Sequence, residues 1–249
     1  MSFLPQQPSS VTEILSASVK LYTESFPKLI GYSLILFVFN SVISSFVNDA
    51  MPPIDTTLEP AEQMAAALQM LPSSLSITFI AILVSCVFYG AMIYRIDNVV
   101  NQRDDDFVGM LLLALKKFPV IIVAGILYTI AITIGTLLLV IPGMILMISL
   151  SFCGYFILLE DRGGYDSLMA SHRLVWGDWW RTNIVFFVPT LILVIIFMMV
   201  GFLGGITDST AESSDTLNTI FELLGALITP YFYVIGYLQY HDLKLRKKM

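Results

Sequence analysis

Five apolar stretches alternate with polar ones along the chain, at 27–47, 75–94, 118–159, 184–206 and 219–240. The third would be about 63 Å long as a helix, roughly two crossings of a 30 Å hydrocarbon core. The pattern therefore predicts six spans. Within the long stretch, Pro142 and Gly143 stand among apolar residues and are the candidate hairpin turn.

The polar stretches carry a second periodicity. Tyr165, Leu168, Met169, His172, Val175, Trp176, Trp179 and Trp180 recur at spacings of three and four, the stripe of an amphipathic helix. Related segments begin near Glu13 and Asp105 and end, like this one, on an aromatic residue: Phe26, Phe118 and Trp179. Each precedes a pair of spans. The sequence thus predicts an all-α integral membrane protein with six transmembrane helices. They form three parallel repeats of interfacial amphipathic helix plus transmembrane hairpin, at about 10–97, 104–160 and 164–240. One polytopic domain covers 1–249. The acidic loop at 48–74 holds AEQMAAALQM, a candidate short helix.

Charge adds the topology. With both termini inside, all 13 Lys and Arg residues fall on one side of the membrane. The loops around 48–74, 140–143 and 207–218 hold none, and the positive-inside rule makes that side cytoplasmic. Hydrophobic residues are 57% of the chain and charged residues 13%, where soluble domains carry about 25% charged residues. The net charge of −6 is an average over two sides and points to no nucleic-acid partner. No cleavable leader is expected.

Catalytic chemistry is not evident. The spans bury no charge at mid-depth, which weakens a proton-coupled transporter. Polar spots occur at Asn40, Ser41, Ser44 and Ser45, at Thr129, Thr133 and Thr136, and at Thr229, Tyr231, Tyr233 and Tyr237. They read as interhelical hydrogen-bonding groups. Cys86 and Cys153 read as packing residues, and two histidines give no metal set. No cofactor is implied. Arg173, Trp176, Trp179, Trp180 and Arg181 are the candidate membrane-interface contacts. Gly201 and Gly205 form a GxxxG suited to close helix approach. The bilayer is the expected partner, with a membrane protein or a second copy of the chain beside it.

The stretch LLVIPGMILMISLSFCGYFILLEDRGGYDSLMASHRLVWGDW holds a Pro142–Gly143 turn, an acidic-basic-Gly loop at 161–164, and Ser171, Arg173, Leu174 and Trp176. It resembles the YciC-type family of bacterial inner-membrane proteins, most strongly over roughly 137–185. A more distant likeness is to membrane domains attached to some glycerophosphodiester phosphodiesterases. No catalytic domain of that kind is present to carry the activity over. The family resemblance implies a six-span inner-membrane protein and brings no catalytic residues.

The expected function is that of a non-enzymatic envelope protein acting through lipid or partner-protein contacts. The alternative is a transporter or channel-like component for a small or lipidic substrate. A polar cavity among the hairpins favours transport, and grouped acids with a histidine at one depth favour an enzyme. The topology is tested by impermeant labelling of single cysteines at Asn101, Thr56 and Ser213. Thr56 and Ser213 should label from outside and Asn101 should be protected; the reverse pattern overturns the assignment.

Overall fold

The computed structural model describes residues 4–50, 59–104, 106–207 and 211–247. The loop stretch 51–58, the repeat start Asp105 and the tail residue Lys248 lie outside them. Among the described residues eight helices follow one another: α1 (Val11–Ala50), α2 (Pro60–Val100), α3 (Phe107–Leu138), α4 (Val140–Ser149), α5 (Cys153–Glu160), α6 (Gly164–Val175), α7 (Trp179–Thr207) and α8 (Ala211–Lys247). Six helical stretches among the described residues are long and apolar enough to cross a bilayer, α4 and α5 together forming the fourth. Among the described residues helix is the regular secondary structure, and the six long apolar stretches are those of a multi-pass membrane protein.

The amphipathic segments take two forms. Those at 11–26 and 107–117 are not separate helices; α1 and α3 run without a break through Pro27 and Pro119. Proline removes one helical hydrogen bond, and packing against neighbouring helices holds the helix through that loss. The third segment does stand apart. α6 stops at Trp176, and Gly177 at φ +91° supplies the left-handed residue that turns the chain into α7. The segment AEQMAAALQM is helical but belongs to α2, whose 41 residues span about 62 Å, twice a hydrocarbon core.

The α3–α4 hairpin also differs from expectation. The reversal falls at Leu139, extended at φ −162° and ψ 143°, and not at Pro142–Gly143. Both of those residues lie in the first turn of α4, where proline needs no N–H donor partner. Gly143 instead lets the helices touch. A Cβ there would come 2.9 Å from the Cα of Thr136.

The core occupies one end of the bundle. Its buried residues come from the first half of α1 (Ile14, Leu21, Leu29), the end of α2 (Ile93, Ile96), α5 (Phe156, Ile157), α6 (Leu174) and the end of α8 (Val234, Leu238, Leu243). These are the ends that carry Lys and Arg, the basic end of the molecule. At the opposite, acidic end the spans expose Val38, Phe46, Leu75, Leu137, Met198 and Phe202. Such a surface suits lipid and not water.

α6 is packed into this core and does not lie free on a surface. Leu168 and Val175 of its expected membrane stripe are buried, while Tyr165 and Trp176 are exposed. Ser171 explains the fit. Its hydroxyl donates to the Ser149 carbonyl at 2.7 Å and accepts from the Phe152 N–H at 3.0 Å. It thereby satisfies backbone groups freed by the break between α4 and α5. Ser171→Ala should cost about 1–3 kcal/mol, because both groups stay buried and lose their partner. Exposed Ser76→Ala should be near neutral. Unfolding of the purified variants in detergent checks the difference; equal stability would remove Ser171 from this role.

Candidate functional site

Two polar features sit along α8. One is a set of ionic clamps at the basic end, and the other is a cavity inside the membrane zone.

The last turns of α8 carry the clamps. Asp242 has no exposed surface. Its carboxylate pairs with Arg181 at 3.0 Å and Arg246 at 2.8 Å, and accepts the Ser9 N–H at 2.7 Å. Arg181 and Arg246 also donate to the Ser9 carbonyl. Beside it, Arg181 donates to buried Gln239, which donates to buried Thr182 at 3.2 Å. Asp242 thus ties the start of α1, the start of α7 and the end of α8 together.

Two further carboxylates lock α8 to other elements. Asp97 of α2 accepts from Tyr237 at 2.7 Å, Arg103 at 2.8 Å and Asn101 at 2.9 Å. Glu160 of α5 accepts from Tyr240 and Lys244, both at 2.6 Å, and from Arg162 at 2.9 Å. Asp97, Glu160, His241 and Lys244 line a cavity of about 470 Å³ at the basic end. This is the grouping of acids and histidine that favours an enzyme. Both carboxylates, however, already hold three donors each, so most of their lone pairs are committed to the fold.

The expected interface residues divide. Trp176 and Trp180 are exposed, and Arg173 is exposed in a groove of about 520 Å³ with Arg162 and Tyr165. Trp179 is half-buried and donates from Nε1 to the Ile145 carbonyl at 3.3 Å. Arg181 faces inward. Its pairing with Asp242 replaces the lipid contact expected of it, because a buried carboxylate needs a cation more than the headgroup layer does.

The second feature is a cavity of about 330 Å³ between α1, α2 and α8. Its polar lining is Ser33 and Asn40 from α1, Ser85 from α2, and Glu222, Thr229 and Tyr233 from α8. Ser33 with Asn40, and Glu222 with Thr229, are seven residues apart and so lie on one face of each helix. That spacing was the available signal in the sequence; the pairing of the two faces was not visible there. Ser33 is 1% exposed, and its hydroxyl has no partner among the described residues. Pro230 has no N–H to offer the carbonyl of Ala226, which also lines the cavity.

Tyr233, the lining residue of α8 nearest the basic end, floors this cavity. Tyr233 meets Tyr89 edge-on at 5.3 Å, and Tyr155 donates to the Tyr233 carbonyl at 3.1 Å. Below them Tyr237 joins Asp97. The membrane cavity and the basic-end cavity share no lining residue.

Residues 56–238 match the uncharacterised protein family UPF0259, the same family as the YciC-type resemblance. The chain belongs to that family. No curated protein and no solved structure matches it. The stretch shared with UPF0259 includes the α2 and α8 walls of the cavity and the Ser171 clasp. It leaves out Ser33, Asn40 and Asp242.

Removing one partner of a buried ion pair leaves a charge without compensation, at a cost of about 3–5 kcal/mol. Asp242→Asn should therefore destabilise the protein by that order. Adding Arg181→Met should recover part of the loss. Asp166→Asn, at an exposed site, is the control and should be nearly silent. Denaturant unfolding in detergent measures all of these.

Proposed function

We propose that the chain is a non-enzymatic membrane protein that holds an amphipathic, lipid-like molecule between α1, α2 and α8. The observation that carries this is a polar cavity bounded by helices whose other faces are apolar. Unpaired polar groups in hydrocarbon cost several kcal/mol each. The buried Ser33 hydroxyl finds no protein partner among the described residues, and the head of an amphiphile supplies one while its chains lie along the exposed apolar faces. The committed carboxylates Asp97 and Glu160 support a non-catalytic role.

The basic end faces the cytoplasm of a bacterial inner membrane in this proposal. The segregation of Lys and Arg supports that side, and the family resemblance supports that membrane. The three parallel units rest on the matched segments at Glu13, Asp105 and Asp166 and their aromatic ends. A membrane-protein partner or a second copy would meet the apolar faces around Gly201. The transporter alternative has less support, because the two cavities share no lining residue.

Native mass spectrometry of the purified full chain is the test. The wild type should retain amphiphile through purification. Ser33→Leu combined with Thr229→Leu, which fills the polar lining with apolar carbon, should lose most of it at unchanged helical content. Equal retention by both proteins would remove the cavity from this role.

A further inference from the structure

The cavity has a charge with no answer inside the protein. Glu222 lies at its rim, one turn inside the apolar part of α8. Ser41 donates to its carboxylate at 3.0 Å, the one hydrogen bond it makes among the described residues. No Lys, Arg or His occurs between Lys28 and Arg95, between Lys117 and Arg162, or between Arg181 and His241. Those three intervals contain every stretch of chain that reaches the acidic end. Along α8 itself the next cationic candidate, His241, is about 28 Å away at 1.5 Å per residue. No side chain of this protein can neutralise Glu222.

The other groups on the cavity wall are chiefly acceptors or can serve as acceptors. The Ala226 carbonyl loses its helical donor to Pro230. The Ser33 hydroxyl is buried and unpaired. Asn40 presents an amide, with one acceptor and two donors, on the same face as Ser33. A carboxylate above hydroxyl and carbonyl oxygens matches a group that is positive and carries several N–H donors. A phosphate or carboxylate in the same place would meet the like charge of Glu222, with no cation in the lining to offset it.

We propose that Glu222 receives the ammonium group of an amine-bearing ligand whose head occupies the cavity. The assignment rests on the amphiphile reading for the rest of the ligand, and it names the chemistry that the site selects. An ammonium can arrive on a lipid headgroup from the adjoining leaflet or on a free amine from the aqueous side. Arg is excluded as the protein's own partner by its place in the chain, so the counter-ion is external in either case.

The experiment uses the purified full chain in detergent, offered equal amounts of phosphatidylethanolamine and phosphatidylglycerol, with retained lipid read by native mass spectrometry. A charge-assisted hydrogen bond should give about a tenfold preference for the ethanolamine lipid. Glu222→Gln should bind lipid without that preference, and Glu222→Asp should keep part of it. A second arm measures the unfolding temperature with spermidine. If spermidine raises it in the wild type and not in Glu222→Gln, while no lipid is retained, the ammonium assignment stands with a free amine as its source and the amphiphile reading falls. If lipid is retained with the same headgroup ratio by wild type and Glu222→Gln, the ammonium assignment is overturned and the amphiphile reading survives. If neither lipid nor spermidine binds the wild type, both are overturned.

Discussion

A carboxylate with no exposed surface, Asp242, has to be held by cations and N–H donors or the fold cannot bury it. Its donors come from Ser9, Arg181 and Arg246, separated widely in sequence. Meeting that requirement brings the start of α1 and the start of α7 to the last turns of α8. Asp97 and Glu160 then bind the same turns to α2 and α5 through Tyr237, Tyr240 and Lys244. Several of the basic residues that orient a membrane protein therefore have a second role here, as inward-facing clamps. Pairs with one exposed partner, such as Arg103–Asp97, contribute little each; the buried one governs the geometry.

Fixing one end leaves the other free to separate. Buried side chains crowd the basic end, and large apolar side chains stand exposed toward the acidic end. In water this surface would be untenable. In a bilayer, lipid chains cover it at no hydrophobic cost, and helix association there depends on packing and polar contacts. The cavity between α1, α2 and α8 forms where those contacts are missing, above the layer of Tyr89, Tyr155 and Tyr233. Structure and proposed function thus share one cause. The clamps at the basic end make a rigid floor, and the spread helices above it leave room for an amphiphile.

The parts of this architecture that depend on local composition were legible in the sequence. Six spans follow from apolar length, because lipid tolerates little else. Helix breaks were harder to read, since tertiary support decides them. Pro27 and Pro119 leave α1 and α3 intact, whereas Gly177 separates α6 from α7. Pro142 and Gly143 look like a turn and instead open α4, with Leu139 making the reversal. The stripe on α6 is amphipathic as expected, but Leu168 and Val175 face protein. Hydrophobic periodicity reports a buried face without saying what covers it. The clamps were illegible for a different reason. Asp242 and Ser9 lie at opposite ends of the chain, and nothing local links Glu222 to Asn40.

The central claim is that the cavity above the tyrosine floor is built to be filled. A cryo-electron microscopy map of the chain in lipid nanodiscs tests this most directly. The account predicts continuous non-protein density among Ser33, Asn40, Glu222 and Thr229, with its polar end near Glu222 and its tail toward the acidic-end leaflet. A map in which α1 and α8 close on each other at Asn40 and Thr229, leaving no such density, would contradict it.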